Sequence, residues 1–284
     1  MGRQRERHRS RPGPGCDHRR REPSRDPLVH EGGTERCCGG RGHGGRIVTG
    51  MRVEIWSDVV CPWCYIGKRR FEQALAGYEH ADSVDIVFRP YLLDPTAPPG
   101  ASMPVREAYA RKFGGWERAD QIIEHLTGVA AGDGLDFHLD RAQRSNTLLA
   151  HRLLWAAEHT GQPGQQSELK ERLLRAYFVE GDQIGDPDTL ERLAVDAGLD
   201  AATVNAVLHG DLGRAEVQAQ LDEAHDLGIT AVPTYVFDGK WTVPGAQDPE
   251  VFLTVLRRVE ALVAAESAPS AACGIRCSDD ACEI

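Results

Sequence analysis

The segment Cys61-Pro62-Trp63-Cys64 holds the two side chains of this sequence best suited to chemistry. It follows a short apolar run and opens a helical pattern. Two thiols at this spacing can close a disulfide with each other, and either thiolate can attack a disulfide in another molecule. Because the start of the chain shows no apolar secretion signal, this context predicts a redox motif rather than a structural bridge.

The expected helix start gives the two thiols different roles. A thiolate at Cys61 would be stabilised by backbone N–H groups and by the positive end of the helix dipole. Cys64, one turn further in, is expected to be more shielded and to keep a higher pKa. Cys61 is therefore the predicted nucleophile and Cys64 the predicted resolving thiol. Pro62 suits an early helical position, and Trp63 offers an uncharged face to a substrate.

Half of a zinc site is the alternative reading of this motif. Zinc needs about four ligands, and its usual signature is a second paired set of cysteines or histidines. No matching C-x-x-C exists, and no cysteine lies between residues 65 and 272, so we expect neither a metal nor a disulfide framework. The remaining cysteines are Cys16, Cys37, Cys38, Cys273, Cys277 and Cys282.

Val232-Pro233-Thr234 is the second segment with a chemical reading. A proline that opens a strand cannot donate a hydrogen bond to its neighbour. A cis proline that faced the dithiol would leave backbone groups free to pair with a substrate. We therefore predict a cis Val232–Pro233 bond beside Cys61, with Val232 and Thr234 contacting substrate; a trans proline at a strand edge is the alternative.

The elements that must position these residues begin with a strand, a helix and a second strand. Residues 53–56 and 84–88 read as strands, and the helical spacing between them predicts a parallel β-α-β unit. After residue 94, helical patterns replace strand patterns for more than a hundred residues. Strands return at residues 234–237 and 241–243, separated by an Asp-Gly hairpin signal, and Asp248-Pro249 begins a last helix.

This order predicts an α/β thioredoxin fold with a large all-helical insertion. The core is assigned to residues 51–94 and 216–265, and the insertion to residues 95–215. Residues 1–50, rich in Arg, Gly and Pro, are expected to be a disordered leader or a mis-assigned start. Residues 266–284 are expected to form a mobile tail with cysteines.

Charge and hydropathy restrict the partners. The net charge of −10 divides into +6 for residues 1–50, with 12 Arg and 6 acids, and −16 for the remainder. An acidic body argues against nucleic acid, whose phosphates require Lys and Arg. No apolar run approaches membrane-spanning length. We expect a cytoplasmic monomer or homodimer with no membrane partner.

Five separated segments carry a family resemblance. They are residues 58–67, 150–153, 176–181, 232–237 and 245–247. Together, over about residues 51–265, they resemble the FrnE-type branch of the DsbA family. The resemblance implies a thioredoxin fold and thiol-disulfide oxidoreductase activity toward protein or small-molecule thiols and disulfides. It implies no bound cofactor, with glutathione or another low-molecular-weight thiol as a candidate co-substrate.

Members of this branch often end in a short cysteine pair, which Cys277 and Cys282 resemble. Together with Cys273, this pair is either an auxiliary dithiol that exchanges electrons with Cys61 or an idle tail. Asn146 precedes a predicted helix. It either faces the dithiol across a cleft, as a substrate contact, or caps that helix.

Two other functions compete with disulfide exchange. One is a glutathione-dependent isomerase or transferase of the 2-hydroxychromene-2-carboxylate isomerase or kappa type, including a polyketide-pathway isomerase. Such enzymes need one activating Ser or Cys, so Cys64 argues against them. The other is a noncatalytic binding module or chaperone that uses the groove beside Pro233, which leaves both motif cysteines without a role.

Overall fold

A computed structural model describes residues 50–100 and 102–267 of the 284-residue chain. Predictions for the leader and for the tail cysteines Cys273, Cys277 and Cys282 lie outside the described residues. Among the helices that are described, none combines the length and the apolar character needed to cross a membrane.

Six strands and nine α-helices follow one another in the described residues. In chain order they are β1 (Met51–Ser57), α1 (Pro62–Ala76), β2 (Val84–Pro90), β3 (Met103–Pro104), α2 (Val105–Phe113), α3 (Trp116–Gly132), β4 (Gln143–Arg144), α4 (Leu148–Thr160), α5 (Gln165–Arg175), α6 (Pro187–Asp196), α7 (Ala201–Leu208), α8 (Arg214–Asp226), β5 (Thr234–Phe237), β6 (Trp241–Pro244) and α9 (Pro249–Ser267). A short 3₁₀ turn precedes β2, and a π-helical turn, Ala176–Glu180, continues α5.

A four-stranded sheet in the order β2-β1-β5-β6 forms the centre of the core. β1 is parallel to β2 and antiparallel to β5, and β5 is antiparallel to β6. The predicted parallel β-α-β unit and the predicted hairpin are both confirmed. The hairpin turns through the three residues 238–240, between the paired Phe237 and Trp241; Asp238 and Gly239 have φ angles of 48° and 66°, in the left-handed region that favours Gly and Asp.

Aromatic packing joins one face of this sheet to α1 and α9. The ring of Phe71, on α1, lies 5.3 Å from that of Tyr235 and 5.2 Å from that of Phe252, centroid to centroid. The opposite face buries Trp56 of β1 against Ala224 of α8. The sheet is therefore covered on both sides, which holds α1 and the dithiol in one place.

The insertion has its own buried core, and it is not all-helical as predicted. β3 and β4 form a two-residue antiparallel ladder, because the chain entering α2 and the chain leaving α3 run side by side. Two predicted boundaries also shift. Helix α8 begins at Arg214, inside the range assigned to the insertion, and α9 continues to Ser267, inside the range assigned to the tail.

The side chain of Gln166 fastens the insertion to the edge of the sheet. Its Oε1 accepts the backbone N–H of Phe88 at 2.9 Å, and its Nε2 donates to the Phe88 carbonyl at 3.0 Å. Phe88 lies on β2, the outer strand, whose free edge needs partners. A helix of the insertion thus satisfies two backbone groups that the sheet leaves unpaired.

Replacing Gln166 with Leu is expected to lower the free energy of unfolding by about 2–4 kcal/mol, because each buried backbone group left without a partner costs about 1–3 kcal/mol. Urea denaturation measures the change. The matched control, Gln218→Leu on the exposed face of α8, should change stability by less than about 0.5 kcal/mol. Equal losses in the two variants would contradict the role assigned to Gln166.

Candidate active site

Cys61 occupies the N-cap of α1, and Pro62 is the first helical residue. The ring of Pro62 presets the helical backbone angle and has no N–H that would need a partner. The backbone N–H groups of Cys64 and Tyr65 donate to the Cys61 carbonyl at 3.0 and 3.4 Å. The expected position of Cys61 at the helix start is therefore confirmed.

The two thiols do not differ in exposure as expected. Cys61 and Cys64 are each 3% exposed and both are free thiols. What distinguishes Cys64 is the set of groups around its sulfur. Burial raises the pKa of the Cys64 thiol well above its usual value, and its hydrogen bond with Cys61 and the charge there raise it further. A thiol that stays protonated at neutral pH suits the resolving position.

The Val232–Pro233 peptide bond is cis, as predicted. The Sγ atom of Cys61 lies 3.7 Å from the Val232 carbonyl oxygen. Thr234 stands next along β5 and donates its hydroxyl to the Ala231 carbonyl at 2.8 Å. The two separated motifs therefore meet at one point, with the proline segment against the nucleophile.

Gly67 allows α1 to approach this proline segment closely. A Cβ atom at residue 67 would lie 2.7 Å from the Tyr235 hydroxyl oxygen and 3.1 Å from Cγ of Pro233. A larger residue would have to displace the buried Tyr235 hydroxyl and would crowd the Pro233 ring, because 2.7 Å is too short for a contact between carbon and oxygen. The absent side chain thus helps to set the distance between Cys61 and Val232.

A buried Asp–His pair lies beside the motif. Nε2 of His151, on α4, is 3.3 Å from Oδ1 of Asp58, and both side chains are 1% exposed. Burial opposes ionisation of Asp58, but hydrogen bonds from His151 and from the Leu93 N–H, with nearby positive charge, lower its pKa below the usual value. Burial lowers the pKa of His151. The carboxylate is ionised and ties the loop before Cys61 to the insertion.

Lys170, on α5, is the functional candidate that sequence reasoning missed. Its side chain is buried, and its ammonium has no hydrogen-bond partner in the described structure; it lies 5.5 Å from the centroid of the Phe88 ring. Burial lowers its pKa to about 8, although the charges of Cys64, Asp58 and Cys61 favour the ammonium form. No local motif marks this lysine, since only the docking of α5 brings it to the thiols.

A cleft of about 950 Å³ opens over the nucleophile, between the core and the helices α2 and α3. Cys61, Pro62, Trp63 and Val232 line it, as expected for residues that contact substrate. The indole of Trp63 is 37% exposed. The insertion therefore supplies one wall of the site, and the thioredoxin core supplies the other.

Four other predicted site residues lie away from the cleft lining. Cys64, Pro233 and Thr234 are buried behind it. Asn146 is also absent from the lining, because both ends of its amide are engaged elsewhere: Nδ2 donates to the Ala97 carbonyl at 2.7 Å, and Oδ1 accepts from the N–H of Leu148 at 3.0 Å. It helps to start α4 instead of facing the dithiol.

Metal ligands do not cluster in this part of the chain. Within residues 50–100 and 102–267, no three side chains of His, Cys, Asp or Glu come close enough together to hold a metal ion. The described residues thus offer Cys61 and Cys64 no third ligand.

Known proteins are similar to this chain in sequence or in fold. Residues 52–257 match the DSBA-like thioredoxin domain family. The uncharacterised protein YwbO of Bacillus subtilis (strain 168) is 29% identical over 206 residues, covering 71% of this chain and 94% of YwbO. A probable DsbA oxidoreductase from Streptomyces coelicolor is 37% identical with a TM-score of 0.70, covering 82% of this chain and 99% of its own. The structure of 2-hydroxychromene-2-carboxylate isomerase is 15% identical with a TM-score of 0.55, covering 76% and 100%, and shares the fold alone.

Replacing Lys170 with Met is expected to raise the free energy of unfolding of the reduced protein at about pH 7 by about 2–3 kcal/mol. The pKa of about 8 in the folded protein lies below the ordinary lysine value of 10.5, so burial of the ammonium destabilises the fold below pH 8, and a difference of one in pKa corresponds to about 1.4 kcal/mol. Between pH 8 and pH 10.5, Lys170 is mostly protonated in the unfolded chain and mostly deprotonated in the folded protein. The gain should therefore shrink as the pH rises from about 8 toward 10.5.

Urea denaturation at several pH values measures this, with exposed Lys240→Met as the control that should change little at any pH. A Lys170→Met protein no more stable than the parent at neutral pH, or a gain independent of pH, would contradict the assignment of a buried charge.

Proposed function

The chain belongs to the DSBA-like thioredoxin domain family, and on that basis we propose that it is a thiol-disulfide oxidoreductase with Cys61 as nucleophile and Cys64 as resolving thiol. The observation that carries this proposal is the position of the Cys61 sulfur. It lies at the N-terminus of α1, 3.7 Å from the Val232 carbonyl oxygen, and its residue lines the cleft.

In the reducing direction, the reaction takes two exchange steps. The Cys61 thiolate attacks one sulfur of a substrate disulfide, forms a mixed disulfide and releases the other half of the substrate as a thiolate. Cys64 then loses its proton and attacks the Cys61 sulfur, which releases the second substrate thiolate. Two electrons pass from the dithiol to the substrate, the thiolates take up protons, and a disulfide joins Cys61 to Cys64. Oxidation of a substrate dithiol is the reverse.

The second step needs a thiolate at Cys64 at the right moment. Burial and Cys61 hold this thiol protonated, whereas the positive charge of Lys170 and the backbone N–H of Asp58 favour its thiolate. Forming the mixed disulfide removes the negative charge from Cys61. The repulsion that raises the pKa of Cys64 then falls, while the attraction of Lys170 for the Cys64 thiolate persists. Cys64 can therefore attack the mixed disulfide once Cys61 has reacted with the substrate.

The finer assignments rest on the sequence. The order of the five motifs supports the FrnE-type branch, and a low-molecular-weight thiol such as glutathione is the proposed electron donor. The tail cysteines Cys277 and Cys282 are proposed as an auxiliary dithiol. Buried Cys64, facing Cys61, disfavours the isomerase alternative, because a single activating thiol would leave the second without a role.

Replacing either motif cysteine with Ser is expected to stop catalysed disulfide reduction. The assay is insulin reduction with dithiothreitol, in a background where all six cysteines outside the motif are already Ser, so that only Cys61 and Cys64 can react. Cys61→Ser should fall to the rate of dithiothreitol alone. Cys64→Ser should also lose turnover and, when incubated with insulin without dithiothreitol, should carry a mixed disulfide on Cys61, detectable as added mass. Full activity in both variants would refute the proposed function.

A further inference from the structure

The mouth of the cleft is basic, although the chain as a whole is acidic. Four positively charged side chains line it against one carboxylate, that of Asp94, whereas the whole chain carries a net charge of −10. The four are Arg111, Lys112, Arg118 and Arg144. Because a cleft lined by one sign of charge concentrates ligands of the opposite sign, this mouth favours an anionic ligand.

Two of these cations have no carboxylate partner among the described residues. Arg111 and Arg144 each pair with a carboxylate. The ammonium of Lys112 lies 5.6 Å from the centroid of the neighbouring Phe113 ring, and the guanidinium of Arg118 donates to the neutral amide of Gln121 at 3.2 Å. Neither Lys112 nor Arg118 forms a salt bridge within the described residues, so both charges are available to a ligand.

The same cleft has an apolar wall. Trp63, Leu93 and Phe113 all line it and are 37%, 38% and 44% exposed. Large apolar side chains that remain exposed together mark a binding surface more often than a plain solvent face. The apolar lining includes Trp63, two residues after Cys61, and Phe113, whose ring lies 5.6 Å from the Lys112 ammonium, so one cleft presents the sulfur, apolar surface and a cation.

Two tyrosines complete the insertion side of the cleft. Tyr109 and Tyr177 line it, and neither hydroxyl has a hydrogen-bond partner in the described part of the chain. Burial raises the pKa of Tyr109 to about 12, and the charge of Cys61 adds to this, so the hydroxyl stays protonated close to the nucleophile. A polar substrate atom beside the sulfur could accept from it.

We propose that the substrate is a low-molecular-weight disulfide, or the thiol it yields, with an apolar body and a carboxylate. Its sulfur meets Cys61, its apolar body packs on Trp63 and Phe113, and its carboxylate binds Lys112 and Arg118. The cleft volume of about 950 Å³ falls in the range of small-molecule sites, roughly 300–1,000 Å³. This inference rests on the proposed function.

The exchange balances without any further group. The Cys61 thiolate displaces one carboxylate-bearing thiolate from the substrate, and Cys64 displaces the second. The substrate disulfide gains two electrons and two protons, and the dithiol becomes a disulfide. The reduced protein therefore completes one turnover on its own, and the assay measures the rate of that single turnover without added reductant.

The test compares two aromatic disulfides that differ only in charge: dithiobis(nitrobenzoate) and its neutral bis-amide. The Cys61-dependent rate is the rate of each protein minus that of the same protein carrying Cys61→Ser. This Cys61-dependent rate is then divided by the rate at which the same substrate reacts with free mercaptoethanol. The division corrects for the difference in intrinsic reactivity between the two disulfides. Wild type is compared with Lys112→Gln/Arg118→Gln. The control, Arg175→Gln/Lys240→Gln, loses the same charge outside the cleft.

At low salt, wild type should prefer the anionic substrate by roughly threefold to tenfold, the scale of two exposed ion pairs. The preference should approach one in the Lys112→Gln/Arg118→Gln protein and at high salt, and it should persist in the control.

Three results would overturn the inference. One is a wild type without charge preference, and another is an equal loss in the control. The third is insulin reduction that falls as much as the anionic rate in Lys112→Gln/Arg118→Gln, which would assign the cleft to polypeptides. If neither substrate shows a Cys61-dependent rate while insulin reduction still requires Cys61, the inference fails and the proposed function stands. If insulin reduction does not require Cys61 either, the proposed function itself fails, and the inference with it.

Discussion

The close contact between α1 and the start of β5 is the constraint on which the site depends. Gly67 leaves no side chain between the helix and the Pro233–Tyr235 strand, so the helix start can rest against the proline segment. That contact places the Cys61 sulfur 3.7 Å from the Val232 carbonyl oxygen. Aromatic packing of Phe71 with Tyr235 and with Phe252 of α9 then fixes the helix on the sheet. The position of the Cys61 sulfur is therefore set by contacts within the thioredoxin core.

The insertion determines which charges lie near the Cys61 sulfur and what shape the cleft over it has. Its helices α4 and α5 bring His151 to Asp58 and bury the Lys170 ammonium near the thiols. Gln166 holds α5 on the edge of the sheet through Phe88. Helices α2 and α3 form the opposite wall of the cleft. The insertion thus carries both the buried charged side chains next to the dithiol and the basic and apolar side chains of the cleft.

Local signals in the sequence predicted most of the core. The Asp-Gly turn, the β-α-β order and the Pro62 helix start each have a short-range physical cause, and all three are confirmed. Lys170 and the β3–β4 ladder were missed, because both depend on how distant segments dock. Asn146 was offered two roles from its position before a helix, and the structure places it at the helix start. In the sequence, a buried lysine cannot be distinguished from a surface lysine, because its burial depends on how its helix packs against the sheet.

Cys61 and Cys64 must interconvert as one two-electron couple if this site works as described. The direct measurement equilibrates the full chain in dithiothreitol redox buffers, alkylates the free thiols, and maps the disulfides by peptide mass spectrometry. The expected result is a disulfide between these two cysteines whose population follows the potential with about 30 mV per tenfold change. Its absence at every potential, or pairing of Cys61 and Cys64 mainly with other cysteines, would contradict the account.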